Sequence, residues 1–244
     1  MERAEYERMA ALEETMWWYR ALHALLHDRL RALRLPDDAR VLDAGCGTGG
    51  LLLRIRESLP ALRPIGVELD VTAAHIAARK SCAPVAAGSV NALPFQGGAF
   101  DAIVSADVLD QAGVGEQAIL GEFARCLKPG GHLLLNVPAF GWLRSRHDEH
   151  VRSARRYTAP GLRRLVEGAG FGVAEVGYWN SLLFPIMVAY RMTAGRTKAQ
   201  SDVQAFPPWQ DRLLHGATVL ERRLSARGVR LPFGGSVWMW AVKP

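Results

Sequence analysis

Ten residues constrain this chain more than any others: Val41-Leu42-Asp43-Ala44-Gly45-Cys46-Gly47-Thr48-Gly49-Gly50. Apolar residues end a buried strand, an acid follows, and glycines at 45, 47 and 49 lead into an apolar helix at 51–59. Glycine permits backbone angles that other residues avoid, and lets a ligand lie against the main chain. The amides that open the next helix meet that ligand with the positive end of the helix dipole. The pattern predicts a nucleotide-type site at the first strand-to-helix turn of an open α/β sheet. Gly45, Gly47 and Gly50 also spell G-x-G-x-x-G, so a dinucleotide is an alternative. Asp43 opposes it, because a pyrophosphate would bring negative charge close to that carboxylate. A ligand with an ammonium or a sulfonium would be attracted instead.

The second predicted strand ends at Glu68, in Ile65-Gly66-Val67-Glu68-Leu69-Asp70, and an acid there suits a ribose diol. With Glu68 in place, the chain resembles the class I S-adenosylmethionine-dependent methyltransferases, whose first motif reads much like VLDAGCGTG. The resemblance covers about 40–180. It implies S-adenosylmethionine as cofactor and S-adenosylhomocysteine as product, held by Asp43, Gly45, Cys46, Gly47, Gly49, Glu68 and Ser105, with Leu69 and Val90 on either side of the adenine. Related enzymes usually carry Gly-Asp-Ala ahead of Leu-Pro-Phe (here Leu93-Pro94-Phe95), their aspartate reaching the adenine amino group. Ser89 stands in that place and can still accept the hydrogen bond. They often continue after the fourth strand with Leu-Glu-His; Leu109-Asp110-Gln111 lacks that histidine.

At 244 residues the chain suits one α/β domain with additions, and a 49% hydrophobic composition can bury a full core. The net charge of +6 comes from widely spread arginine with one cluster at 144–164, a weak pointer to nucleic acid or membrane. Cys46, Cys82 and Cys126 have no metal-binding spacing and fit a reducing compartment. The N-terminus has no apolar signal core, and the apolar run 182–190 is half a membrane span and contains Pro185. A soluble, cytoplasmic protein is expected.

Residues 2–33 read as a helical extension, since Met9, Leu12, Met16, Tyr19, Leu22, Leu26, Leu30 and Leu33 mark one apolar face. Trp17-Trp18-Tyr19 either cap the core or, as the resemblance suggests, place Trp18 and Tyr19 over the sulfonium as a lid. Strands are expected at 40–43, 64–68, 84–88, 100–107, 132–137, 171–179 and 235–242, with a Lys128-Pro129-Gly130-Gly131 turn before the fifth. Helices are expected at 72–81 and 115–127, and from a Thr158 cap to 168–170. An insertion at 181–229 should hold two more, at about 182–192 and 209–226. The fold class is therefore a Rossmann-like, seven-stranded, mostly parallel sheet with helices on both faces. Four parts are expected: an N-terminal helical lid at 1–35, the cofactor-binding core at 36–180, a helical cap insertion at 181–229, and the last strand at 230–244. The resemblance sets that last strand antiparallel beside the sixth.

Methyl transfer from a sulfonium is an in-line displacement, in which positioning supplies much of the effect and a base is needed only for a hydroxyl or acidic carbon. Groups near the methyl should come from Asp107, the lid and the segment after the fifth strand. That segment, Trp142 to Tyr157, is dense in charge. His147 or His150 is the candidate base, with Asp148 orienting the imidazole; a solvated charged loop is the plainer alternative. Arg144, Arg156 and Tyr157, with Asp107, are the candidate substrate contacts, the arginines for an acidic group. No metal is expected, since magnesium wants an octahedral oxygen set and zinc more sulfur or imidazole. The reading is methyl transfer to a small-molecule acceptor: a natural product, a quinone-like ring or a lipid-linked metabolite, in places anionic. Alternatives are an RNA or protein methyltransferase, or a binding protein without transfer. Nucleic acid is not expected, because Ala106-Asp107-Val108-Leu109 stands where base methylases carry Asn-Pro-Pro-aromatic. The 181–229 insertion either caps the pocket or makes peripheral contact with a membrane.

Overall fold

Side chains alternate across a strand, so each strand of a covered sheet feeds two cores at once. That division organises this protein, whose computed structural model describes residues 10–145, 148, 152–193 and 206–244. The strands are β1 (Arg40–Ala44), β2 (Arg63–Glu68), β3 (Val85–Ala87), β4 (Phe100–Ala106), β5 (Leu127–Pro138), β6 (Gly172–Trp179) and β7 (Ser236–Val242), in the order β3-β2-β1-β4-β5-β7-β6. Neighbours from β3 to β5 pair in parallel. β7 runs antiparallel between β5 and β6, and so is beside the sixth strand as expected.

On one face Leu42, Ile103, Leu133, Leu135 and Met239 pack under α4 (Glu116–Cys126) and α5 (Ala159–Gly168), through Ile119, Phe123, Leu162 and Val166. On the other, Val41, Ala102, Val104, Leu134 and Trp238 meet Leu22, Leu25 and Leu26 of α1 (Trp17–Ala32) and Leu51 and Ile55 of α2 (Gly50–Ser58). Beside them α3 (Val71–Ser81) begins where the Asp70 carboxylate accepts the Thr72 and Ala73 amides. Thr158 caps α5 through the Gly161 amide at 3.2 Å, with Pro160 in the first turn. The insertion supplies α6 (Phe184–Thr193) and α7 (Pro208–Ala226).

Two expectations change. Lys128-Pro129-Gly130-Gly131 is an excursion inside β5: Phe100 faces Leu127 and Ala102 already faces His132, so the ladder resumes after a bulge. The N-terminal region is not one helix. Among the described residues a short turn at 10–12 gives way at 13–16, and α1 starts afresh at Trp17. Met16, its cap position, has no side chain for the orphan amides, and Asp211 of α7 accepts the Trp17 N–H at 2.7 Å instead. Arg29 then lies 3.6 Å over the Trp238 ring and pairs with Glu175, holding α1 to the β6–β7 edge.

This borrowed cap is testable. Asp211→Ala should remove about 1 kcal/mol, a fall of about 2–4 °C in Tm for a domain of this size. Calorimetry that found no change would refute the cap.

Candidate active site

The carboxyl ends of β1, β2, β4 and β5 share one edge of the sheet, and the glycine loop occupies its middle. Gly45 has φ +84°, and a Cβ there would lie 2.4 Å from Val108. Gly49 has φ +88°, with the Ala77 backbone 2.8 Å from any such Cβ. Both positions therefore exclude side chains by angle and by space. The Gly45 and Cys46 amides donate to the Val67 carbonyl, at 2.9 and 3.0 Å. Glu68 ties the loop to the next strand, accepting the Gly47 amide at 3.0 Å and the Asp70 amide at 3.1 Å. Leu69 beside it is 73% exposed, an apolar platform at the end of β2. Val90 is buried, and Ser89 closes a tight turn by accepting the Asn91 amide at 3.2 Å.

The electrostatics of this edge are one-sided. Asp43 is buried, and its carboxyl is pushed up to about 8 by burial first and then by Glu13 and Glu68, two charges of its own sign. Glu13 arrives from the break ahead of α1. It accepts the Thr48 hydroxyl at 2.6 Å and pairs with Lys80 at 3.0 Å. A Cβ at Gly50 would meet it at 2.4 Å, so the last glycine of the motif makes room for this acid. His23, near Glu13, is lowered to about 4 mainly by burial and so is neutral. A site of this kind suits a cationic ligand and repels a pyrophosphate.

Beyond the loop, Asp107 stands just after β4 at φ 53°. Asn136 fixes it, donating its Nδ2 to Asp107 Oδ1 at 2.9 Å while the Asn136 carbonyl accepts the Asp107 amide. Asn136 Oδ1 in turn accepts Trp179 Nε1 at 2.6 Å, and Trp179 stacks on Trp18 with centroids 4.9 Å apart. Asp107 is pushed up by burial and by neighbouring Asp110. Asp110 is also raised by burial, and its Oδ1 finds no partner among the described residues. Five rings continue the same edge. Phe140 stacks on Tyr178 at 5.1 Å and contacts Trp142 and Phe184, and Phe184 reaches Phe233.

Several expected contacts turn out to be internal. The Cys46 side chain packs with Leu52 and Ala77, so only its amide belongs to the loop. Ser105 is buried and donates to the Ala44 carbonyl at 3.0 Å, bracing β1 against β4. Trp18 is built into the stack on Trp179, and Tyr19 leans on His23. Tyr157 sits in the core, its hydroxyl 2.8 Å from Glu116 Oε1. Arg156 is buried, holding Asp148 Oδ1 through Nε and Nη2 and the Ala139 carbonyl through Nη1. The other Asp148 oxygen accepts from Ser145 and meets Arg191 of α6 at 3.3 Å. Asp148 is held below the usual range despite its burial by Arg156, Ser145 and Arg191, so its observed work is to anchor this segment. Arg144 is exposed, and His147 and His150 lie outside the described residues. Among the described residues no group of three or more acids, histidines or cysteines could hold a metal.

Glu13, Asn136 and Trp179 were not singled out by the sequence. Asn136 leaves a trace there, the polar break in Leu133-Leu134-Leu135-Asn136-Val137; Glu13 leaves none.

The raised Asp43 carboxyl sets a pH dependence. Its ordinary value is 3.8 and its folded value about 8, so its contribution to stability is complete below pH 3.8 and is lost as pH rises through 8. Asp43→Asn should flatten the decline in Tm of the ligand-free protein between pH 5 and 8; parallel curves for the two proteins would refute the assignment.

The comparisons agree with this geometry. The family model described as "Methyltransferase domain" matches residues 16–176, most of the chain. A Mycolicibacterium smegmatis protein, named as a probable S-adenosylmethionine-dependent methyltransferase, is 29% identical over 211 residues, 83% of this chain and 78% of its own. The demethylmenaquinone methyltransferase of Thermus thermophilus is 37% identical over 101 residues, covering 39% of this chain and 46% of the relative. Among solved structures, the geranyl diphosphate C-methyltransferase of Streptomyces coelicolor superposes with a TM-score of 0.64 at 16% identity, over 93% of this chain and 81% of that one. Together with the glycine cradle and its acids, these matches show that the chain belongs to the methyltransferase-domain family and is an S-adenosylmethionine-dependent methyltransferase.

Proposed function

We propose that the acceptor is a small, largely apolar molecule: a quinone-like ring, a natural product or a lipid-linked metabolite. The observation that carries this reading is the wall of rings formed by Phe140, Trp142, Tyr178, Phe184 and Phe233 on the edge that also bears Asp107. Such a wall desolvates an apolar acceptor and leaves few polar groups to orient it. The likeness to proteins named for demethylmenaquinone and geranyl diphosphate supports the same class.

When bound, S-adenosylmethionine supplies a methyl group already activated on sulfur, so alignment and exclusion of water carry much of the rate. In this reading Asp43 faces the cofactor's positive charge, the side-chain-free backbone at Gly45–Gly49 lines its path, and Glu68 accepts from its ribose. Leu69 and Val90 flank the adenine, and Ser89 accepts from its amino group. The Trp18–Trp179 stack, at the first turn of α1, walls the methyl-bearing end. Asp107, fixed by Asn136, orients the acceptor, and exposed Arg144 meets any acidic group on it. Asp148 is clamped by Arg156 and Arg191, and His147 or His150 takes the acceptor's proton where the acceptor is a hydroxyl or acidic carbon.

Transfer of labelled methyl from S-adenosylmethionine to a panel of demethylated quinones, isoprenoid diphosphates and phospholipid amines, alongside transfer RNA and protein extracts, tests the class. Product from the apolar panel alone is the expected result; label only in RNA or protein overturns it. With an accepted hydroxyl or carbon acid, replacing the base histidine by alanine should lower turnover at saturating substrate about a hundredfold or more. Undiminished turnover in both His147→Ala and His150→Ala removes that role.

Cofactor binding should also displace a proton, because a cation beside Asp43 favours the carboxylate. Affinity for S-adenosylmethionine should rise from pH 6 to about 8, by up to about tenfold per pH unit, and then level off. Calorimetric heats should differ between phosphate and Tris buffers, and Asp43→Asn should abolish the difference. Equal heats for the wild-type protein would contradict it.

A further inference from the structure

The outer face of α7 takes no part in the site described above. One stripe runs its length at the spacing of a helix face: Trp209, Leu213, Gly216, Leu220, Arg223 and Arg227, with Arg212 alongside. Trp209 is 68% exposed, Leu213 65% and Leu220 52%; Gly216 and the three arginines are exposed as well. The acids of the helix face inward. Asp211 caps α1 through the Trp17 amide, and Glu221 accepts the amides of Ser181 and Leu182. The helix thus turns both carboxylates to its neighbours and presents outward a surface of large apolar side chains and arginine.

We propose that this face of α7 lies on an anionic membrane surface, Trp209, Leu213 and Leu220 entering the headgroup boundary and Arg212, Arg223 and Arg227 meeting lipid phosphates. Charge decides the occupant: a stripe with arginine and no acid complements a negative surface and repels a second copy of itself. Size points the same way. Three apolar side chains fall short of the roughly 800 Å² per partner of a stable protein interface, whereas an interfacial helix needs only such a stripe with basic residues beside it. No helix among the described residues is long and apolar enough to cross a membrane. It does not depend on the acceptor proposed above, and is read without substrate.

The test is co-sedimentation of the full-length chain with phosphatidylcholine vesicles with and without phosphatidylglycerol, at low and high salt. Binding is expected on the anionic vesicles at low salt, with loss on neutral ones. Arg223→Gln with Arg227→Gln should bind roughly thirtyfold more weakly, from about 1 kcal/mol per basic residue at the surface. Trp209→Ser with Leu213→Ser should also bind more weakly, and the exposure of all four positions should leave Tm unchanged in both double variants. Quenching of Trp209 by brominated lipid, read as the difference between wild type and Trp209→Phe, should accompany binding. No sedimentation with anionic vesicles at low salt, or equal sedimentation of wild type and both double variants, overturns the proposal. So does a wild-type dimer that Leu213→Glu dissociates, which would assign the stripe to self-association.

Discussion

Repulsion among acids around a glycine loop is the constraint from which the rest of this site follows. Asp43 is buried at the end of β1 with Glu13 and Glu68 acting on it, both carrying its own sign of charge. Burying like charges together is costly unless a proton or a positive ligand relieves them. Here the proton does so, the Asp43 carboxyl being pushed up to about 8. Acids placed in this way favour a cation and oppose a pyrophosphate. They separate this loop from dinucleotide loops that share its glycine spacing.

The second constraint is mechanical. Asp107, Asn136, Trp179 and Trp18 form one continuous chain of contacts from the end of β4 to the start of α1. Asn136 has no exposure, and both ends of its amide are used within the chain. Because a buried amide is stable only when both ends are satisfied, this residue sets the spacing between Asp107 and the Trp179–Trp18 stack. α1 is itself capped by α7, so the N-terminal helix and the insertion brace one another.

Much of the fold was legible because strand and helix periods are local properties. The Asp43-to-Gly50 turn, Glu68, the Thr158 cap, and the positions of the strands and of the helices at 71–81 and 116–126 all follow from residues close in sequence. The expectations that changed depended on distant partners. The apolar period predicts a single N-terminal helix, yet among the described residues it breaks at 13–16, where the Glu13 carboxylate meets Thr48 and Lys80. The charge density of 142–157 marks Arg156 and Tyr157 as candidate substrate contacts. Arg156 instead pairs with buried Asp148, and the Tyr157 hydroxyl with half-buried Glu116.

By itself the sequence determined the glycine loop and its acids, because only glycine tolerates positive φ and close approach together at 45 and 49, and only an acid at 43 and 68 favours a cation over a phosphate. Tertiary structure decided the surroundings of that loop: that Glu13 becomes its third acid, that Asn136 aims Asp107, and that the acids of α7 turn inward and leave arginine and tryptophan outside. Burial and charge pairing between residues many tens of positions apart set those outcomes, and no local period records them.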